Sequence, residues 1–235
     1  MNPQLEQKLK TFARRIGLEL SRARPTVASL ILSRQVDCVF DVGAHEGEFA
    51  QSLRAGGYAA RIVSFEPVLS SFERLKLNAA SDGRWILNNY ALGAAPGVGS
   101  INVAANTVFS SLLPTTAYAD EYYPGASVVR QEKVKIERFD DVYPKLKGSR
   151  NFLKVDAQGF EPSVLKGAEE ALKDLGGVQL ELPCTNLYAN SWSFAEGIAF
   201  MEAKGFALAQ TRPVIFSAED PQRLVELDCV FVKSK

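Results

Sequence analysis

The stretch DVGAHEGEF, residues 41–49, decides the fold that the sequence predicts. It follows the apolar run VDCVF at 36–40 and leads into a helical pattern. A buried strand, a glycine-containing turn and a helix in this order form the first unit of a nucleotide-binding α/β sheet. The same stretch contains three carboxylates, Asp41, Glu46 and Glu48. Any ligand of this turn must therefore tolerate negative charge.

Strand and helix patterns alternate from this turn onward. The predicted strands are 36–42, 60–66, 84–89, 151–156 and 177–182. The predicted helices are 47–56, 69–80, 161–175 and 192–204, the third ending at Gly176-Gly177. This alternation predicts a Rossmann-like α/β fold, a mostly parallel sheet with helices on both faces. Two further strand-like runs, 206–213 and 227–234, have no helix between them, which predicts a C-terminal antiparallel hairpin at one sheet edge.

We divide the chain into a helical extension at 1–34 and one α/β domain at 35–235. A length of 235 residues suits a single domain with insertions. The irregular stretch at about 93–150 is predicted to be an insertion between the third and fourth parallel strands. We expect it to contain a short strand and a short helix of its own.

The overall charge excludes one class of partner. Lysine plus arginine equals aspartate plus glutamate, 27 each, so no net field favours nucleic acid. No apolar run approaches the length of a membrane span, and the start lacks the apolar stretch of a signal peptide. We therefore predict a cytoplasmic protein without an integral membrane segment.

The first segment is basic. Residues 1–34 contain seven Lys or Arg and two Glu, a surplus of five positive charges. Their apolar residues recur at helical spacing: Leu5, Leu9, Phe12, Ile16 and Leu20. The expected structure is an amphipathic helix that caps the core or forms a homodimer face. A helix that binds a membrane surface or an acidic partner is the open alternative.

Polar residues end five of the predicted strands. An open parallel sheet binds ligands beyond the carboxyl ends of its strands. In chain order these strands end with Asp41, Glu66, Asn89, Asp156 and Glu181. Glu66 lies 23 residues after Gly43, a spacing at which a carboxylate accepts hydrogen bonds from the ribose hydroxyls of an adenosine ligand. The rim of the sheet is therefore the predicted ligand site.

The turn at 43–47 favours S-adenosylmethionine over a dinucleotide. The fingerprint G-x-G-x-x-G needs a glycine where this chain has His45. Three nearby carboxylates would also repel a pyrophosphate strongly at low effective dielectric. S-adenosylmethionine instead offers an ammonium and a sulfonium, while its carboxylate suits the amides at a helix start. An NAD-dependent oxidoreductase and a non-catalytic Rossmann-like binding module are the alternatives.

Six motifs occur in order between residues 36 and 192. They read FDVGAHEGEFAQSL, IVSFEPVLSSFERLKLN, NNYALG, SSLL, NFLKVDAQGFEPSVLKGAEEAL and VQLELPCTNLY. Together they resemble the motifs of the FkbM-type methyltransferase family, with F-E-P and L-K-x-D-x-x-G-x-E the most specific. The resemblance implies a class I, S-adenosylmethionine-dependent enzyme that methylates a hydroxyl of a sugar, polyketide or other small metabolite. His45 departs from the family, which more often has asparagine there.

The resemblance also implies roles for individual residues. Asp41, Gly43 and Gly47 would form the loop at the methionine end of the cofactor, and Glu66 would bind its ribose. Asn89 and Ala91 would lie near the adenine, and Asp156 near the methyl group or the acceptor. The neighbouring loop residues Ala44, His45 and Pro67 complete the predicted cofactor-binding set.

Lys154, Asp156 and Glu181 form the predicted catalytic set. Strand alternation places Lys154 and Asp156 on the same side of the fourth strand, where Glu181 of the next strand is expected to pair with Lys154. This cluster either orients the acceptor or is a structural ion pair beneath the pocket. Asp156 is the first candidate for the base that deprotonates a hydroxyl acceptor, followed by Glu181 and His45. A divalent metal held by Asp156 with Glu161 or Glu181 is the less favoured alternative, and a single histidine excludes a multi-histidine metal site.

Overall fold

The computed structural model describes residues 3–17 and 25–234 of the chain. Residues 1–2 and 18–24 of the predicted extension, and residue 235, lie outside the described residues. The strands are β1 (Cys38–Val42), β2 (Arg61–Phe65), β3 (Trp85–Asn88), β4 (Ala91–Leu92), β5 (Gly97–Ala104), β6 (Val128–Glu137), β7 (Asn151–Val155), β8 (Leu175–Pro183), β9 (Phe206–Phe216) and β10 (Leu224–Lys233). The α-helices are α1 (Pro3–Arg15), α2 (Val27–Ser33), α3 (Glu48–Ala55), α4 (Leu69–Ala79), α5 (Ala117–Tyr122), α6 (Phe139–Leu146), α7 (Glu161–Lys166) and α8 (Phe194–Ala203).

The main sheet has seven strands in the order β3-β2-β1-β7-β8-β10-β9. The first five strands of this order pair in parallel, and β10 runs antiparallel to both β8 and β9. The predicted mostly parallel sheet with a C-terminal antiparallel hairpin strand is therefore confirmed. The last strand lies inside the sheet, so the edge is formed by β9. The carboxyl ends of β1, β2, β7 and β8 consequently lie along one rim.

Helices cover both faces of this sheet. Alternate residues of β1 point to opposite faces, so Phe40 packs with α6, α7 and α8 while Val39 packs with α2, α3 and α4. Every residue of β1 and β7 is buried, as expected for central strands of a parallel sheet. Capping boxes begin two of the helices: Thr26 and Ser29 at α2, and Ser193 and Glu196 at α8. The predicted coverage of both faces is confirmed.

The helix predicted at 161–175 is much shorter. α7 ends at Lys166, a 3₁₀ turn follows at 171–173, and Gly176-Gly177 lie within β8 rather than at a helix end. At Gly167 the chain passes so close to the Gly93 carbonyl that a Cβ atom there would overlap it. Apolar residues beyond the break stay buried in the same core, which made the helical period look continuous: Ala168, Ala171 and Leu172.

The segment between β3 and β7 is richer than the single strand and helix that the sequence predicts. This segment forms a second sheet with the strand order β4-β6-β5, and it also contains the helices α5 and α6. β6 carries charged side chains along most of its length and buries Val134, so its sequence gives little strand signal. The hydrophobic core of this second sheet contains Val68, Ala91, Ile101, Val103 and Val134. This small sheet stands beside the rim of the main sheet.

The N-terminal part contains two separate helices. α2 packs against α3, whereas α1 leaves most of its side chains exposed. Among residues 3–17 and 25–234, we find no helix with the length and apolar character needed to cross a membrane. The division at residue 34 and the cytoplasmic location stay predictions.

Candidate active site

A cleft opens at the carboxyl ends of β1, β2 and β7, with about 680 Å³ of empty space including its mouth. Its floor is formed by the strand ends and the turns after them: Val42, Gly43, Phe65, Glu66, Asp156 and Ala157. One wall comes from Tyr90, which follows β3, and from Ala91 and Leu92, which form β4 of the small sheet. Ile101 and residues 107–112, which we call the cover segment, close the opposite side.

The turn after β1 has a left-handed backbone at three positions, with φ of 71° at Gly43, 48° at His45 and 100° at Gly47. A Cβ atom on Gly43 would overlap the carbonyl of Asp156, so only glycine lets β1 and β7 approach here. The amides of Gly43 and Ala44 donate to the Phe65 carbonyl at 3.0 and 3.1 Å. The turn is therefore locked between the ends of β2 and β7.

Glu66 is a buried carboxylate at the edge of the cleft. One of its oxygens accepts a hydrogen bond from the His45 amide and the other from the Val68 amide, both at 2.8 Å. Burial raises the pKa of Glu66 to about 7, although these amides oppose the rise. Each oxygen keeps a second acceptor position, so Glu66 can still receive hydroxyl donors from the cleft.

Lys154 and Asp41 form a buried ion pair beneath the cleft. The Lys154 ammonium lies 3.2 Å from Oδ1 of Asp41 and donates to the Gly43 carbonyl at 2.8 Å. Ser64 donates to the other Asp41 oxygen at 3.2 Å. Burial acts to lower the pKa of Lys154, but Asp156 and Asp41 outweigh it and raise that pKa. The ammonium thus holds the β1 turn from below.

Asp156 is the predicted catalytic residue that reaches the cleft. Its Oδ2 lies 3.4 Å from the Lys154 ammonium, and its Oδ1 accepts from Gln158 Nε2 at 2.7 Å. The same Nε2 donates to Glu181 at 2.8 Å, and Gln158 Oε1 accepts from the Tyr188 hydroxyl at 2.7 Å. Gln158, which the sequence analysis missed, therefore bridges both predicted catalytic carboxylates from a left-handed backbone with φ of 52°.

The predicted pairing of Lys154 with Glu181 is corrected by the structure. The register of β7 and β8 places Gln179, not Glu181, beside Lys154. Lys154 therefore contacts Asp41 and Asp156, while Glu181 lies level with Asp156 and receives the Gln158 amide. Glu181 is buried behind Gln158 and is not one of the residues that line the cleft.

Further buried carboxylates surround Glu181. Burial and the neighbouring Asp156 and Glu226 carboxylates raise the pKa of Glu181 well above its ordinary value. Burial likewise raises the pKa of Glu161 to about 7 and that of Glu226 to about 8. Within the described part of the chain, no three His, Cys, Asp or Glu side chains are grouped to hold a metal ion.

His45 links the β1 turn to the cover segment. Its Nε2 lies 2.8 Å from the Thr107 hydroxyl, and its Nδ1 lies 2.9 Å from Glu48. Burial acts to lower the pKa of His45, but Glu48, Glu66 and Glu46 outweigh it and raise that pKa. His45 thus lines the cleft and also shapes the turn.

Several predicted residues lie outside the cleft lining. Ala44 is buried in the core, and Gly47 begins α3 where a Cβ atom would overlap the Trp85 ring. The Asn89 amide donates to the carbonyls of Glu66 and Pro67 at 2.9 and 3.2 Å, which shapes the end of β2. Glu46 and Glu48 pair with Arg74 and His45 rather than facing the cleft. Gly43, His45, Glu66, Pro67, Ala91 and Asp156 are the predicted cofactor-binding residues that line it.

The charged side chains that line the cleft suit S-adenosylmethionine better than a dinucleotide. Among the described residues that line it, none is Lys or Arg, so a pyrophosphate would meet no permanent cation. The carboxylates that face the cleft are Glu66 and Asp156. The expected electrostatic preference thus rests on these two residues and not on Glu46 and Glu48.

The chain is similar to known methyltransferases. The family model of the methyltransferase FkbM domain matches residues 41–208. Methyltransferase 1 of Beauveria bassiana (strain ARSEF 2860) is 27% identical over 195 residues, covering 74% of each protein. The crystal structure of methyltransferase FkbM from Methylobacillus flagellatus KT superimposes with a TM-score of 0.50 and 14% identity. That match covers 83% of this chain but 43% of the Methylobacillus chain, so this chain spans less than half of it.

A second solved structure has the same fold. Magnesium protoporphyrin IX methyltransferase from Synechocystis PCC 6803, solved with bound S-adenosylmethionine, gives a TM-score of 0.50 and 12% identity. The match covers 88% of this chain and 76% of that one. Strand order and comparisons together show the class I methyltransferase fold. The chain belongs to the FkbM methyltransferase domain family, as its sequence motifs indicate.

Proposed function

We propose that this chain transfers the methyl group of S-adenosylmethionine to a hydroxyl oxygen of a sugar, polyketide or other small metabolite. The observation that carries the proposal is the Asp156 carboxylate, which faces the cleft between the Lys154 ammonium and the Gln158 amide. A hydroxyl is a poor nucleophile until its proton is removed, and a fixed carboxylate is suited to remove it.

The residues along the cleft divide into a part that would bind the methyl donor and a part that would bind the methyl acceptor. Glu66 would accept the ribose hydroxyls, with Pro67 and Ala91 beside the adenine. Asp156 would mark the reacting end. When bound, the cofactor supplies an electrophilic methyl group on a sulfonium, which is a good leaving group. The chain's own contribution is to align the acceptor oxygen and exclude water, an effect worth up to roughly 7–11 kcal/mol.

The proposed proton path uses Asp156. Its carboxylate would accept the hydroxyl proton while the acceptor oxygen takes the methyl group from the sulfonium, so that the products would be a methyl ether and S-adenosylhomocysteine. Lys154 and Gln158 each contact one Asp156 oxygen, so they fix the position of the carboxylate. Glu181 is the alternative base, although Gln158 stands between it and the cleft.

Calorimetry tests the donor half of the proposal. S-adenosylhomocysteine is expected to bind the full chain, while NAD is expected to bind weakly or not at all because the cleft lining has no Lys or Arg. Binding of NAD without binding of S-adenosylhomocysteine would refute the donor assignment.

Substitution of Asp156 tests the acceptor half. Release of S-adenosylhomocysteine would be followed with hydroxyl acceptors and with their deoxy and amino counterparts. Asp156→Asn is expected to lower turnover of the hydroxyl acceptors by about 10²–10⁴-fold, a much larger effect than its effect on S-adenosylhomocysteine binding. Asp141→Asn, an exposed site on α6, is the matched control. Turnover of amino acceptors alone, or full activity of Asp156→Asn, would rule out the proposed O-methylation by this base.

A further inference from the structure

α1 leaves an apolar face exposed. Four large apolar side chains of α1 and of the turn directly after it are between 44% and 63% exposed: Leu5, Leu9 and Phe12 in the helix, and Ile16 in the turn. Their spacing of four, three and four residues places them on one face of the helix. Ala13 is buried on the adjoining side. Single exposed apolar residues are common on proteins, but four on one helix face indicate a surface made for a partner.

Positive charge borders this apolar face. Lys8, Lys10, Arg14 and Arg15 all lie within α1, and Glu6 is the sole acidic residue in the helix. At 100° per residue, Lys8 and Arg15 fall directly beside the apolar face, with Arg14 further round. Lys8, Arg14 and Arg15 are exposed. The helix therefore combines an apolar face with a cationic flank.

The charge of the chain is separated along its length. Residues 1–34 have a surplus of five positive charges, and the zero total leaves the remaining residues with a deficit of five. Four of the seven Lys and Arg residues of this segment lie in α1 itself, against one Glu, which gives the helix a surplus of three positive charges. The partner of α1 must therefore supply negative charge and an apolar phase at the same surface.

We propose that α1 is an interfacial helix that docks this protein on an anionic lipid surface. Lys and Arg on one side with Leu and Phe on the other are the pattern of helices that lie in the headgroup region of a bilayer. Nucleic acid offers phosphates for the cations but no apolar phase for Phe12 and Leu9. A protein partner needs a groove that matches the ridge of four side chains, whereas a bilayer accepts the ridge directly.

Vesicle flotation of the full chain tests this docking. The protein is expected to float with vesicles of phosphatidylcholine containing about one third phosphatidylglycerol, and to remain in solution with phosphatidylcholine alone. Raising the salt concentration is expected to release it, because exposed charges are screened. Failure to float with the anionic vesicles would overturn the proposal.

Matched variants separate the two features of the helix. Leu9→Glu/Phe12→Glu is expected to abolish flotation, while Leu77→Glu on α4, where Leu77 is 77% exposed, is expected to leave it unchanged. Lys8→Glu/Arg15→Glu is expected to weaken vesicle binding by more than about tenfold. Its control is Lys133→Glu/Lys145→Glu, two exposed lysines on other elements.

Two further measurements distinguish lipid docking from misfolding and from dimer formation. Thermal unfolding and S-adenosylhomocysteine binding are expected to be the same in all four variants, since α1 supplies none of the residues that line the cleft. Light scattering after size exclusion reports the oligomeric state. A dimer that Leu9→Glu/Phe12→Glu converts to a monomer, with vesicle binding unaffected, would overturn lipid docking and assign α1 to a subunit interface.

Discussion

Gln158 joins the two carboxylates closest to the proposed chemistry, and its own orientation is fixed. The Tyr188 hydroxyl donates to its Oε1, so its Nε2 must face Asp156 and Glu181. Gln158→Glu would place a third carboxylate between these two. We expect the pKa of Glu181 to rise further and methyl transfer to fall at least about tenfold, because like charges at this distance disfavour ionisation.

Carboxyl ¹³C NMR titration of Glu181 checks the charge effect of Gln158→Glu. It does not require the acceptor to be known. Gln222→Glu, at an exposed site, controls for added charge alone. An unchanged titration of Glu181 in Gln158→Glu would show that Gln158 does not position this carboxylate.

A second prediction concerns Gly43, with Gly57 as the matched control. Gly43→Ala adds a Cβ atom that overlaps the Asp156 carbonyl, whereas Gly57, with φ of 90°, has open space around that position. Gly57→Ala is expected to cost about 1–2 kcal/mol from its left-handed backbone alone, or roughly 2–8 °C in melting temperature. Gly43→Ala is expected to cost more and to impair S-adenosylhomocysteine binding. Equal melting temperatures for the two variants would contradict the close approach of β1 and β7.

At the residue scale, the sequence predicts where charged side chains lie better than it predicts which residues they contact. Asp41, Glu66 and Asp156 lie at the carboxyl ends of predictable strands, so their place at this end of the sheet is foreseeable. The Lys154 partner is not, because strand register decides whether Gln179 or Glu181 lies beside it. Gln158 stands inside the motif NFLKVDAQGFEPSVLKGAEEAL. Its left-handed backbone and its bridging amide nevertheless follow from the packing of Tyr188 and Ser111 around it.

Thr107 ties the cover segment to the β1 turn, which gives a prediction at the scale of elements. Thr107→Val keeps the shape of the side chain but removes the hydroxyl beside His45 Nε2. Loss of one such hydrogen bond, worth about 0.5–1.5 kcal/mol, is expected to speed S-adenosylhomocysteine dissociation by about two- to tenfold. Stopped-flow measurement checks this, with Thr211→Val on β9 as the control. An unchanged dissociation rate would mean that the cover segment is held without this contact.

The elements of the parallel sheet are predictable because their apolar runs and intervening helices repeat. Predicted strands at 36–42 and 60–66 differ from β1 and β2 by a few terminal residues. The small sheet is not foreseeable in this way, since β6 is mostly exposed and its partners β4 and β5 lie far away along the chain. The cover of the cleft therefore escapes sequence reasoning, although its floor does not.

Buried carboxylates make the stability of the whole molecule depend on pH. Burial raises the pKa of Glu66 and Glu161 to about 7 and that of Glu226 to about 8, above an ordinary value of 4.5. The folded state thus keeps protons that the unfolded chain releases. The stabilisation is complete below pH 4.5 and is lost as the pH rises through 7 to 8.

Glu226→Gln tests this dependence. One Glu226 oxygen is buried without a hydrogen-bond partner, so the neutral amide should be tolerated. We expect the melting temperature of the unaltered chain to fall between about pH 5 and about pH 9 and that of Glu226→Gln to fall less. Glu202→Gln, at an exposed site on α8, should behave like the unaltered chain. A parallel decline in all three proteins would show that Glu226 does not contribute.

The position of β1 between β2 and β7 has a consequence for biosynthesis. β1 is made early, at residues 38–42, but its second neighbour is made only at 151–155. A ribosome adds roughly 5–20 residues per second, so the nascent half-sheet keeps one edge of this mostly apolar strand unpaired for several seconds. During that interval the edge can pair with other nascent chains. Slower synthesis at low temperature lengthens the interval, and chaperones that bind extended apolar segments are the factors that should raise the yield of soluble protein.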